Sequence, residues 1–148
     1  MDGTHRKFQY KHMNIGRKRR DIKQPRRERL LVKEALSRLG LRYWEMVEIH
    51  NPNYTNRLGE VIGGQQWVDY IVVEKGTLFA IEFYPRWGKN NPHQYQLHWM
   101  EEKKSFLLNR GIQTLVVARH HSSQEYWGYI YIFLRTRHRH SPTRHGSR

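Results

Sequence analysis

The chain contains no cysteine. That absence excludes disulfides, thiolate zinc sites and a cysteine nucleophile. No apolar run approaches the ~18 residues needed to cross a bilayer. The first residues carry charges where a secretion signal would need an apolar stretch. The expectation is a cytoplasmic, intracellular protein with no membrane partner. No internal repeat or heptad pattern is present, and no Ser/His/Asp arrangement or phosphate-binding glycine loop stands out, since Gly63-Gly64 is isolated. A length of 148 residues supports one domain with a modest core.

Acids are scarce: 13 Asp and Glu face 27 Lys and Arg, a formal net charge of +14. Residues 1–30 hold 11 basic residues against 3 acids, and residues 135–148 hold 5 against none, whereas the 11 and 10 between them nearly cancel. A near-neutral body with two basic ends suits a polyanionic partner, because contacts to phosphate supply sequence-independent affinity. The expected contacts are Arg17, Lys18, Arg19, Arg20, Arg26 and Arg27 at one end and Arg135, Arg137 and Arg139 at the other. Solvated tails, or an anionic membrane surface, are the alternative use of such runs.

Residues 1–24 lack periodicity and are expected to form a disordered basic arm. Residues 25–134 are expected to fold and 135–148 to form a basic tail. Apolar residues Leu31, Ala35, Leu36 and Leu39 recur at helical spacing and Gly40 stops the helix. Residues 42–50 alternate as a half-buried strand, with Tyr43, Glu45, Val47 and Ile49 on one face. Strands at 67–73 and 77–84, a helix at 93–109 and a strand at 112–118 follow. Residues 122–133 read equally as a helix capped by Ser122 or Ser123 and as a strand through Tyr129-Ile130-Tyr131-Ile132-Phe133.

The hairpin at 67–84 carries the chemistry. With Lys75-Gly76 as its two-residue turn, Asp69 falls opposite Glu82 in otherwise apolar strands. Cβ atoms of such a pair lie about 4.5–5.5 Å apart and like charges there repel. Two carboxylates so placed want a cation, and Mg²⁺ or Mn²⁺ prefers oxygen ligands. A register slipped by one residue would instead turn one acid to solvent. Ten histidines offer no convincing ligand spacing; His120 and His121 are expected on a strand, pointing apart. Trp67, Tyr70, Tyr84, Trp87, Tyr95 and Trp99 are candidates for stacking on bases or for core packing.

The α-β-β-β-α-β order over residues 28–120, an acid on the second strand and Glu82 on the third, resembles the PD-(D/E)XK nuclease superfamily. Within it, size and basic ends look most like phage-type junction resolvases or very-short-patch repair endonucleases. The resemblance implies an α/β restriction-endonuclease-like core with a mixed sheet, Asp69 and Glu82 as ligands of Mg²⁺ or Mn²⁺, and Glu34 as a helix acid. It departs at Tyr84, which stands where the family has lysine. Lys89 is the first candidate to replace that cation, ahead of Arg86, Lys103 and Lys104, while Gln94 or Gln96 could bind a water or phosphate. The bland use of Glu34 is a surface pair with Arg38.

These features imply a metal-dependent endonuclease acting on DNA rather than RNA, on duplex, branched or mismatched substrates, as a monomer or homodimer. The alternatives are a degenerate nuclease fold that binds without cutting and a ribosome- or particle-associated basic protein. If the ends supply the affinity, deleting 1–24 and 138–148 weakens DNA binding. It also flattens the dependence of log K on log salt by about 0.9 for each phosphate no longer neutralised. Binding titrations between 50 and 300 mM salt, roughly the range where such slopes are resolved, check this.

Overall fold

The computed structural model describes residues 13–14, 26–85 and 94–139. The elements are β1 (Met13–Asn14), α1 (Arg26–Arg38), β2 (Arg42–Asn51), β3 (Gly64–Glu74), β4 (Thr77–Phe83), α2 (Gln94–Leu108), β5 (Gln113–Val117) and α3 (Ser123–Arg139). The sheet runs in the order β1-β2-β3-β4-β5. Pairings are antiparallel through β4, and β5 lies parallel to β4. This is an α/β domain with a mixed sheet. A parallel neighbour requires a crossover, which α2 provides.

The ambiguous last element is a helix of 17 residues. Its start carries a reciprocal cap: Glu125 N–H donates to Ser122 Oγ at 3.1 Å and Ser122 N–H donates to the Glu125 carboxylate at 2.7 Å. That capping box satisfies two amides that a strand would leave to an edge. Burial of Tyr126 and Ile130 against the sheet then outweighs the strand preference of the aromatic run. The helix also takes in residues assigned to the tail. Arg137 donates to Thr77 Oγ1 at 3.1 Å and Leu78 O at 3.2 Å and lies 5.1 Å from the Phe79 ring centroid, so it serves the fold rather than an extended arm.

Two cores flank the sheet. Tyr70, Val72, Phe79, Ile81 and Phe83 pack under α1 and α3 with Val32, Leu36, Tyr126 and Ile130. On the other face Val47, Ile49, Val68, Ile71, Leu78 and Ala80 pack with Phe106 and Leu107 of α2. The alternation expected along β2 breaks in the middle. Trp44 and Val47, three residues apart, join the α2 face, and so do Val68 and Ile71 on the paired strand. Met46 has φ 56°, and the β2–β3 register runs through Glu45↔Tyr70 and Val47↔Val68 without pairing Met46 to Asp69. A left-handed residue in a strand rotates the following chain, so side chains beyond it change face. Asp69 stands at that irregularity.

The hairpin forms as expected, with Glu74↔Thr77 and Tyr70↔Ile81 in register. Lys75 (φ 51°) and Gly76 (φ 78°) both take left-handed conformations, the pattern of a type I′ turn. Gly76 adopts this without cost and Lys75 does not. Lys75→Asn should therefore stabilise the protein by roughly 0.5–1 kcal/mol, because asparagine tolerates this region better. Thermal denaturation is expected to show a rise of a few degrees, about what such a gain gives in a domain of this size.

Candidate active site

The β3–β4 ladder opens beyond Tyr70↔Ile81, and the two carboxylates occupy the opening. Asp69 N–H donates to Glu82 Oε2 at 2.8 Å, and Phe83 N–H donates to Asp69 Oδ2 at 3.0 Å. Each acid thus accepts an amide of the other strand. The directly opposed Asp69–Glu82 pair on one face expected from the sequence is not formed: the ladder ends at Tyr70↔Ile81, and the two acids meet through strand amides instead of side by side. Glu82 points to α2 and Asp69 meets α1.

Both carboxylates are nearly buried, at 6% exposure for Asp69 and 3% for Glu82. Charges so placed need partners. Lys103 Nζ donates to Glu82 Oε1 at 2.7 Å and to Trp67 O at 2.6 Å. Arg29 spans the other side: it donates to Asp69 Oδ1 at 2.8 Å, to Asp69 O at 3.1 Å and, through Nε, to Glu45 Oε2 at 2.6 Å. Lys33 Nζ donates to Glu45 Oε1 at 3.2 Å. Three carboxylates and three cations therefore form one connected cluster. Burial pushes the Glu82 carboxyl above the ordinary carboxylate range, with Lys103 pulling it down and Asp69 adding to the rise. Burial also acts on Glu45, but there the hydrogen bond and charge of Arg29, helped by Lys33, bring the net shift below the ordinary range.

Helix spacing explains how the cations arrive. Arg29 shares the inward face of α1 with Val32 and Leu36, and its guanidinium lies over the Tyr70 ring at 4.8 Å from the centroid while Tyr70 O–H donates to Arg29 O at 3.1 Å. Lys103 sits one turn from Met100 and Leu107, both buried. From the sequence Arg29 is only one of the 11 basic residues of 1–30, and Lys103 stands behind Lys89 as a candidate cation. A cation at core spacing within an apolar stripe was the available signal for both.

Several other expectations are corrected. Glu34 is exposed, accepts a hydrogen bond from Ser123 Oγ at 3.4 Å, and does not join the carboxylates. The acid that α1 carries inward is Glu28, which accepts from Tyr126 O–H at 3.1 Å and His120 N–H at 3.2 Å. His120 and His121 lie past the end of β5 rather than on it; His120 has φ 69° and an Nδ1 3.8 Å from Glu28, and His121 Nδ1 is 3.6 Å from Glu125. Of the aromatics, Tyr70 is core and Trp99 stacks on Tyr54 at 5.6 Å, whereas Tyr84 is 46% exposed at the end of β4. Lys104 is 3.6 Å from Glu101. Arg27 and Arg135 are exposed, and Arg26 and Arg139 begin and end helices. Lys89, Arg86, Trp87, Arg17, Lys18, Arg19 and Arg20 lie outside the described residues, as do the side chains of Gln94 and Tyr95.

No family model, characterised protein or solved structure matches this chain. The chemistry has to come from the cluster itself. Among the described residues, no group of three or more His, Asp and Glu side chains converges as a metal cage would. Asp69 and Glu82 are two acids rather than three, and both are already engaged. Each of their four oxygens accepts one protein hydrogen bond and keeps a second lone pair. Mg²⁺ commonly uses only one or two carboxylates and completes its shell with water and substrate phosphate.

Removing one partner of a buried pair leaves an uncompensated charge. Lys103→Met should thus destabilise the fold by roughly 3 kcal/mol, and adding Glu82→Gln should restore much of that loss, since the amide oxygen still accepts from Asp69 N–H. Urea unfolding of the two single variants and the double variant measures the coupling.

Proposed function

We propose that this protein is a divalent-metal-dependent endonuclease of the PD-(D/E)XK type that cleaves DNA. The observation that carries the reading is the triad at the β3–β4 opening: Asp69 and Glu82 interlocked through strand amides, with Lys103 Nζ 2.7 Å from Glu82. Lys103 supplies from α2 the cation that Tyr84 cannot supply from β4. The order α-β-β-β-α-β, with an antiparallel meander and a parallel last strand, supports the same reading.

Asp69 and Glu82 would hold Mg²⁺ or Mn²⁺, which when bound lowers the pKa of a water and neutralises phosphate charge. Asp69 is fixed for that role by Phe83 N–H and Arg29, and Glu82 by Asp69 N–H. Lys103 places a positive charge beside Glu82, where charge building up on a phosphoryl oxygen is stabilised without reorganisation. Arg29 pairs with Asp69 and ties it to Glu45, so α1 is braced against the site. The basic ends hold the phosphate backbone.

One observation favours a second reading. The cluster is charge-balanced by Arg29, Lys33 and Lys103 without a further cation, which suits a nuclease fold that binds DNA and does not cut it.

Incubation of plasmid, branched and single-stranded DNA, and of RNA, with Mg²⁺ or Mn²⁺ separates the two. Under the nuclease reading the parent cuts, a chelator or Asp69→Asn abolishes cutting, and Lys103→Met lowers the rate by about 10²- to 10³-fold, the usual loss for one preorganised charge. Calorimetric Mn²⁺ binding should vanish in both Asp69→Asn and Glu82→Gln. A parent that binds DNA, cuts no substrate and binds no Mn²⁺ is the non-cutting protein.

A further inference from the structure

β5 is the last strand of the sheet and is paired on one side only. Tyr84 N–H donates to Val117 O at 2.8 Å, so Val117 turns its main chain toward β4. By alternation Thr114 and Val116 turn N–H and C=O to the open side. An open edge invites pairing, and proteins blunt one with lysine, proline or a bulge. Gln113-Thr114-Leu115-Val116-Val117 carries none of these, and its register with β4 runs without interruption.

The helix beside this edge is apolar on more faces than the sheet covers. From Tyr126 to Leu134 each residue except Gly128 is aliphatic or aromatic. Tyr126 and Ile130 are buried, but Ile132 is 61% exposed and Tyr129 41%. A helix apolar around its circumference belongs in an enclosed place. Between β5 and α3 runs a groove of about 410 Å³, walled by Leu115 and Val117 on one side and by Tyr129, Ile132 and Phe133 on the other. No Lys, Arg, Asp or Glu lines it, and His121 is its one imidazole.

We infer that the β5–α3 edge is the interface of a two-fold homodimer, in which β5 pairs antiparallel with its copy about Leu115 and each Ile132 enters the partner's groove. Three features select a second copy as the occupant. The strand complements itself: centred on Leu115, Thr114 falls opposite the partner's Val116, and the outward amides and carbonyls of these residues match as two hydrogen-bonded pairs. Gln113 falls opposite the partner's Val117 and Leu115 opposite the partner's Leu115, so no like charges meet. The helix complements itself as well, because Ile132 projects from the wall of the groove that receives it, as an isologous contact requires. Charge agrees with both. A polyanion finds no cation in this groove, whereas two chains of +14 approach at least cost where the surface is uncharged.

Leu115 and Val117 lie on the α3 face of the sheet, so pairing about Leu115 sets both copies of α3 on one face of a continuous sheet with their grooves toward each other. A helix of 17 residues is about 25 Å long. Helix and sheet layers together are about 20 Å deep, which gives roughly 500 Å² per copy, near the lower bound of a specific interface. The dimer is independent of any cutting activity.

The absence of cysteine makes the two-fold directly testable, since a single introduced cysteine reports only on its own copy. Leu115→Cys places two thiols in a non-hydrogen-bonded pair with Cα atoms about 4.5 Å apart, within disulfide reach, and mild oxidation of the full chain should convert most of it to a covalent dimer. Gln113→Cys, two residues from the axis, holds its thiols more than about 13 Å apart and should not cross-link. Sedimentation of the parent from about 0.1 to 100 µM, a range suited to a small interface, should show monomer giving way to dimer. Ile132→Asp should raise the dissociation constant by about 100-fold or more, because the lost burial counts twice across a two-fold. Thr114→Pro should have a similar effect: it removes an outward amide that β4 does not use, and the Thr114 hydroxyl has no hydrogen-bond partner to lose. Circular dichroism of both variants as monomers checks that they fold. A parent that stays monomeric throughout overturns the dimer and leaves the groove to a small apolar ligand or another protein. Cross-linking of Gln113→Cys as readily as Leu115→Cys, or a dimer that survives both Ile132→Asp and Thr114→Pro, overturns this interface.

Discussion

The exchange of amides between Asp69 and Glu82 is the constraint on which the middle of this protein depends. Antiparallel strands normally pair main chain with main chain. Here, past Tyr70 and Ile81, a carboxylate from each strand accepts the amide of the other. Two buried acids facing one another would repel, and burial alone would favour their protonation. The substitution is stable because cations reach it from both sides of the sheet. Lys103 comes from α2 and Arg29 from α1, so the helices are positioned by charge as well as by apolar contact.

The irregularities of the sheet serve that arrangement. Met46 takes a left-handed conformation at the level where Asp69 leaves the β2–β3 register, and the faces of both strands change there. A strained residue in a strand costs about 1–3 kcal/mol and persists only where the surroundings hold it. The return is an aspartate whose amide and carboxylate both turn toward β4. Aromatic packing of Tyr70, Phe83 and Tyr126 lines the α1 side beneath Arg29.

The same helix that brings Lys103 also anchors the loop between β2 and β3. Glu102 and Trp99 tie down Thr55, and Gln66 links Asn51 to Trp99 O through its own amide. A polar network of this kind is worth most when each member is satisfied. It ties the base of the loop to α2.

Local pattern determined a good deal of this protein. Helical spacing and the Gly40 stop placed α1, and Lys75-Gly76 set the hairpin register from Glu74↔Thr77 to Tyr70↔Ile81, because a two-residue turn leaves one pairing; beyond it Asp69 and Glu82 do not pair as expected. The capping box at Ser122 and Glu125 was also in the sequence, but strand and helix preferences conflicted over the aromatic run, and only burial against the sheet decided for the helix. What no local pattern contains is which cation meets which acid. Arg29 and Asp69 are separated by 40 residues and Glu82 and Lys103 by 21, and neither pair has a period that links them. The tertiary structure made those choices, rejecting Glu34 for solvent and turning Arg137 into a packing residue. Buried charge finds its partner only once helices and sheet have closed around it.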